Sequence, residues 1–180
     1  MRRDQNFDRL IGEKVVLRQF ADIDVTNEYI GWLNDPGVVR YSNQRFFEHT
    51  HKSCHQYLDS FADSENLFIS VRGVSDDIAI GTMTAYIMPQ HSVVDIGIMI
   101  GNRNVWGQGV GQDAWNTLLN WFMTKRGIRK ATGGAMRCNI AMIRIMEKSG
   151  MCLEAVRGEQ ELLNGVPQDI LHYCKFAERN

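Results

Sequence analysis

Residues 93–114, VVDIGIMIGNRNVWGQGVGQDA, limit what this chain can fold into more than any other stretch. The opening run from Val93 to Ile100 is β-branched and little interrupted by polar residues, which predicts a strand covered on both faces. Gly101 and Asn102 end it. Gly107, Gly109 and Gly111 then space a tight loop, and Trp115, Leu118, Leu119 and Phe122 follow at helical intervals, so the order is strand, glycine loop, helix. Glycines bring backbone close to a ligand without a Cβ in the way, and the first N–H groups of the helix lack intrahelical partners. Such a loop suits an anionic, phosphate-bearing cofactor. By spacing alone it suits a plain strand-to-helix turn equally well.

The 180-residue chain is long enough for one domain with a core of its own. Its formal net charge of −1 leaves no basic footprint for nucleic acid or an anionic membrane. No stretch approaches the ~20 apolar residues that span a bilayer, and no targeting segment is evident. Cys54, Cys138, Cys152 and Cys174 form no C-x-x-C pair, which argues against a zinc ribbon or a dithiol redox motif. A soluble, cytoplasmic protein is expected, with a small-molecule or peptide partner.

Residues 14–20 read as a first strand, with Asp22 or Asp24 capping the helix that carries Tyr29, Ile30, Trp32 and Leu33. Thr50 caps a second helix. Residues 67–74 and 78–86 form a hairpin, which the strand at residue 93 extends into a meander. Beyond the glycine loop and its helix come a strand at 130–135, a helix at 140–149 ended by Gly150, and a last hairpin around Asn164-Gly165. The predicted order is βααβββαβαββ: an α/β domain on a mixed, mostly antiparallel sheet of about seven strands. Its strands at 93 and 130 run parallel through a right-handed crossover.

With that order in place, the chain resembles the GCN5-related N-acetyltransferases (GNAT), in the branch of ribosomal-protein N-terminal and spermidine acetyltransferases. VVDIGIMI followed by WGQGVGQDA carries the likeness, together with NIAMIRIMEKSGM at 139–151 and LNGVPQDILHY at 163–173. The resemblance implies acetyl-coenzyme A (acetyl-CoA) as cofactor and acetyl transfer to a primary amine. It places Ile98, Met99 and Ile100 beside the pantetheine arm, and Trp106, Gly107, Gln108, Gly109, Val110, Gly111 and Gln112 around the pyrophosphate. Asn139 takes the family's asparagine position, which a plain helix N-cap would also explain. Two positions depart from the family. Trp106 stands where arginine or glutamine is usual, and Met146 stands where related enzymes often have a proton-donating tyrosine; a thioether donates no proton.

For chemistry, the expected parts are a backbone donor near Ile98 to polarise the acyl carbonyl, Asp95 as base acting through water, and Tyr173 or Cys138 as acid. Trp32, Asn34, Arg40, Tyr41, Phe47 and Glu48 lie in the region that the resemblance assigns to the acceptor. Their mix of aromatic faces and both charge signs suits a nucleotide-linked amino sugar first and a protein N-terminus second. The alternative from another class is a non-catalytic acyl-CoA sensor, motivated by Met146. His51 and His55 share a helical face, but no further ligand is marked, so no metal site is expected. Monomer and homodimer both remain open.

Overall fold

A computed structural model describes residues 9–178. Its eight strands form one sheet in the order β1-β2-β3-β4-β5-β6-β8-β7. They are β1 (Leu10–Ile11), β2 (Val15–Gln19), β3 (Leu67–Gly73), β4 (Ala79–Met88), β5 (Val93–Ile100), β6 (Lys130–Met136), β7 (Cys152–Leu163) and β8 (Val166–Phe176). The helices are α1 (Asn27–Leu33), α2 (His51–Asp59), α3 (Val110–Thr124) and α4 (Ile140–Lys148). The two-residue β1 is the strand the sequence did not reveal. It is turned back by Gly12 and Glu13, a corner held from outside by the Asp113 carboxylate, which accepts from the backbone N–H groups of Glu13, Lys14 and Val15.

The period-2 alternation of β5 sorts its side chains between two cores. Val94 and Ile96 are buried against α3, with Trp115, Leu118, Leu119 and Phe122, and Ile98 and Ile100 pack at that cluster's margin. Met99 faces the opposite way, into a smaller cluster under α1 and α2 built from Phe20, Tyr29, Trp32, Phe61 and Phe68. Burial on both faces therefore holds for the first half of β5. Its later residues are only half-buried.

Neither Asp22 nor Asp24 caps α1. Residues 22–24 form a 3-10 turn, and Thr26 is the cap, accepting from Tyr29 N at 3.1 Å. Asp24 is taken instead by two guanidiniums: Arg18 meets both its oxygens at 2.8 and 2.6 Å, and Arg72 reaches it at 3.1 Å. A buried carboxylate needs such partners.

One irregularity in the sheet matters most. β5 pairs with β4 along its whole length, to Gly81↔Ile100, but its parallel pairing with β6 stops after Asp95↔Thr132. β6 meanwhile continues against β8 to Met136↔Ile170. The two halves of the sheet thus part beyond Asp95, and the second half of β5 has no strand on that side.

Candidate active site

A cavity of about 1190 Å³ opens where β5 and β6 part. It passes from the glycine loop and α4 on one side of the sheet to α1, α2 and the 38–49 segment on the other. That volume is at the upper end for a small-molecule site and has room for two reactants.

On the first side, the α3 N-terminus supplies the polar groups. Gly107 and Gly109 have φ of +75° and +82°, a region that favours glycine, and Gly109 caps α3 with no side-chain hydrogen bond to the first-turn N–H groups. A Cβ on Gly107 would meet nothing within 4 Å, so the loop is open to a ligand and not packed under other chain. Ile98, Met99, Ile100, Trp106, Gly107, Gly109, Val110, Gly111, Gln112 and Asn139 all line the cavity. Trp106 is fixed by its indole N–H, which donates to Ile100 O at 2.8 Å. Gln112 contributes backbone only, because its Nε2 donates to Ser149 Oγ at 2.8 Å and to Ile145 O at 3.2 Å, joining α3 to α4. Asn139 caps α4, its Oδ1 accepting from Met142 N at 3.3 Å. Gln108 does not line the cavity; its Nε2 donates to Asn104 O at 2.8 Å.

On the second side, Arg40, Tyr41, Phe47 and Glu48 line the cavity as the sequence suggests. Trp32 and Asn34 are not brought there. Trp32 is buried against Gly101, whose absent Cβ would fall 2.1 Å from the indole ring. Asn34 ties α1 to the lip, donating to His49 O at 2.8 Å and accepting from His49 N at 2.9 Å. The floor is a set the sequence did not single out: Thr82, Thr84 and Tyr86 of β4, with Tyr29, Tyr57 and Phe68. Alternation along β4 puts its three on one face, but only the packing of α2 shows that this face looks into the cavity. Tyr57 and Tyr86 join hydroxyls at 3.0 Å. Burial, then the neighbouring Tyr86, holds the Tyr57 phenol above its ordinary value, so it stays protonated.

Asp95 and Tyr173 do not line the cavity. The Asp95 carboxylate accepts from Thr132 Oγ1 at 2.5 Å, at the last β5–β6 pair before the split. Burial pushes its pKa up, with the Thr132 hydrogen bond and His172 pulling in the opposite direction. Tyr173 is enclosed and donates to Glu147 Oε1 at 3.0 Å; burial and that carboxylate hold its phenol up. Cys138 is half-buried and likewise lies outside the lining. His51 meets Asn27 Oδ1 at 2.8 Å and His55 meets Asp22 Oδ1 at 3.2 Å. Among the described residues no group of three or more histidine, cysteine, aspartate or glutamate side chains is placed to hold a metal, and no helix is long and apolar enough to cross a membrane.

A parted sheet beside an open glycine-led helix N-terminus offers an anion site next to room for a second reactant, and the sequence comparison gives that arrangement its family. The acetyltransferase (GNAT) domain family matches residues 14–152, most of the chain. The protein belongs to that family and is an N-acetyltransferase that uses acetyl-CoA. No curated protein matches by sequence. Among solved structures it is similar to RimL, the ribosomal L7/L12 alpha-N-protein acetyltransferase in complex with coenzyme A, at 14% identity and a TM-score of 0.83, covering 94% of this chain and 98% of that one. It is also similar to spermidine N-acetyltransferase from Vibrio cholerae in complex with CoA and spermine, at 17% identity and a TM-score of 0.81, covering 90% and 95%. A third is the microcin C7 self-immunity acetyltransferase MccE in complex with acetyl-CoA and AMP, at 18% identity and a TM-score of 0.78, covering 91% and 93%. At these identities the likeness is one of fold.

Proposed function

We propose that the acceptor is the primary amine of a nucleotide-linked amino sugar, received through the 38–49 lip. The observation that carries this is the charge of the cavity's second side. Among the described residues Glu48 is the only carboxylate in the lining, while Arg40 stands beside Tyr41 with its guanidinium 5.3 Å from the ring centroid. A polyamine would need several carboxylates to replace its hydration. A nucleotide needs a flat apolar face and a cation, which Tyr41, Phe47 and Arg40 supply. The neighbour that binds AMP shares this fold. Arg45 is excluded from that role because it is engaged with Leu162 O at 3.0 Å and Glu161 at 3.9 Å, tying the β7–β8 turn to the lip.

Bound acetyl-CoA supplies an acetyl thioester. The chain's part is to solvate its phosphates with the free N–H groups around Gly109, Val110 and Gly111, and to offer the Ile98 backbone, on the half of β5 that β6 leaves, to the acyl oxygen. Holding both reactants in one cavity contributes much of the acceleration. For the amine proton we assign Asp95, acting through water, because it sits at the apex of the split with a carboxyl made more basic by burial. Tyr173 has no part in this scheme.

Titration calorimetry with acetyl-CoA and NAD, followed by thiol release on adding acceptors, tests the reading. Acetyl-CoA is expected to bind and NAD to fail, with release driven by amino-sugar nucleotides and not by spermidine. Release with a peptide N-terminus alone would overturn the acceptor. Tight binding without release from any amine would favour the sensor alternative.

Asp95→Asn separates catalysis from folding. A carboxyl whose folded pKa is raised holds its proton more tightly in the folded protein than in the unfolded chain. The stability this gives is present below the unfolded value of about 3.9 and is lost as pH rises through the folded value. Asparagine keeps a partner for Thr132 without the buried charge. Its melting temperature should therefore gain on the wild type as pH rises above the unfolded carboxyl's range, while kcat falls about 100-fold and the acidic limb of the pH profile disappears. An unchanged kcat would remove Asp95 from the reaction.

A further inference from the structure

The four cysteines are scattered through the sequence and form no C-x-x-C motif, but the fold brings two of them together. In the antiparallel pairing of β7 with β8, Cys152 stands directly opposite Cys174. Residues so opposed project from the same face, with Cα atoms about 4.5 or 5.5 Å apart according to the hydrogen-bonding pattern. Either separation lies inside the range of about 4.4–6.8 Å that a disulfide bridges. Both side chains are free thiols. Cys54, enclosed in the cluster under α1 and α2, and Cys138, in the turn before α4, lie outside the strands and have no cysteine opposite them.

Packing accounts for Cys174 but not for Cys152. Cys174 is buried, where a thiol serves as a small apolar side chain. Cys152 is exposed, on a strand whose side chains are nearly all in solvent. A metal does not account for the pair either, since among the described residues no group of three or more suitable side chains is placed to hold one. The surroundings also set an order of reaction. Burial, then the Glu154 carboxylate, holds the Cys174 thiol up, with the Lys130 ammonium pulling in the opposite direction and Cys152 adding to the rise. Lys130 is itself paired with Glu154. An oxidant from solvent therefore reaches Cys152 first, and Cys174 stands behind it as the resolving thiol.

The pair lies where the sheet is held least. β7 is an edge strand with β8 as its one neighbour. Their register breaks twice, between Leu153 and Ala155 and between Arg157 and Glu161. An exposed, bulged edge strand is among the first elements of a sheet to open. Near its tip the hairpin is tied to the lip by Arg45, which donates to Leu162 O. Cys152 and Cys174 stand at its root.

We propose that Cys152 and Cys174 form a reversible modification site, which a peroxide oxidises to a cross-strand disulfide that staples β7 to β8. The Cys152 sulfur attacks one peroxide oxygen and the O–O bond breaks, leaving a sulfenic acid and a hydroxide that takes up the thiol's proton. The Cys174 sulfur then attacks the Cys152 sulfur. The S–O bond breaks, the S–S bond forms, and the departing hydroxide leaves as water with the Cys174 proton. Two thiols lose two electrons in all, and the peroxide is reduced to water. A dithiol reductant reverses the step by exchange.

Hydrogen peroxide in slight molar excess over the reduced full-length protein, followed by alkylation and peptide mapping, tests the site. Free thiols in the wild type should fall from four to two, with a mass loss of about 2 Da. A tryptic digest of the unfolded, unreduced product should join peptide 149–157, which holds Cys152, to peptide 158–175, which holds Cys174. Dithiothreitol should undo the link. The staple has a readout of its own: oxidation should slow trypsin cleavage of the native protein after Arg157 by about tenfold and raise the melting temperature by about 5 °C. C152S, a change at an exposed position, should form no link and show neither effect. Cys152 driven on to sulfinic acid while Cys174 stays reduced overturns the pairing, as does a link to Cys54, to Cys138 or between two molecules. A link that forms but leaves both cleavage and melting as in the reduced protein overturns the staple.

Discussion

Met146→Ala is expected to destabilise the protein by about 3 kcal/mol and to lower its melting temperature by about 10 °C, with kcat/KM of the folded enzyme within about threefold of wild type. Met146 is fully buried, in one cluster with Trp115, Leu118 and Leu119. Its sulfur lies 3.3 Å from where a Cβ on Gly133 would be, and that same point is 2.9 Å from Trp115 Cη2. Gly133 therefore leaves a slot in β6 that the indole and the thioether fill together. Truncation to alanine would remove the transfer energy of the thioether and leave a cavity that Trp115, locked on all sides, cannot collapse into. The resemblance puts a proton-donating tyrosine at this position in related enzymes. In this chain the side chain is closed off from the cavity and acts on stability. The opposite result, a stable protein with a large fall in kcat, would mean that position 146 serves the reaction after all. Chemical denaturation at several pH values, paired with initial rates well below the melting range, distinguishes the two.

The parts of the fold that were legible in the sequence are those decided locally. β5 announced itself through an apolar run broken only by Asp95, and the α3 start through three glycines. The β7–β8 turn did so through Asn164-Gly165, which adopt φ of +52° and +79° as a two-residue hairpin turn requires. The misreadings occur where a distant partner decides. Asp24 has the right chemistry for a cap, but two arginines from β2 and β3 take it. Trp32 has the right chemistry for a substrate wall, but Gly101 leaves it a hole to fill. α4 shows apolar residues on more than one face, a pattern that fits a helix packed between layers; one of those faces lines a cavity, and no local signal in α4 distinguishes the two. The early end of β5–β6 pairing is only faintly marked: β5 stays apolar to Ile100, and although Gly133 and Gly134 follow the last paired residue of β6, that strand goes on pairing with β8 to Met136. That splitting makes the site, and it brings Thr82, Thr84, Tyr86, Arg144 and Lys148 to it from positions that read as an ordinary sheet face and an ordinary charged helix.

Gly109→Asp is expected to weaken acetyl-CoA binding by about 100-fold while leaving the fold nearly as stable as before. Gly109 is the residue before α3, at φ +82°, where any side chain is strained; aspartate and asparagine bear that conformation best, at a cost of about 1 kcal/mol. The carboxylate offsets part of this, because a negative charge at a helix N-terminus is favourable and Lys14 Cε lies 3.7 Å from the new Cβ. The melting temperature should thus move by only a few degrees. Binding should not be spared in the same way. The new carboxylate occupies the N–H groups that the pyrophosphate needs and places like charge against it in a partly desolvated site, where repulsion is poorly screened. Gly109→Asn isolates that term, having the same shape and backbone strain without the charge, and should cost about tenfold or less. If aspartate and asparagine weakened acetyl-CoA equally, the loss would be steric and the α3 N-terminus would not be the pyrophosphate's anion site. A loss confined to aspartate, and reduced by salt, would place the cofactor's phosphates on the N–H groups that β5 and the glycine loop leave open.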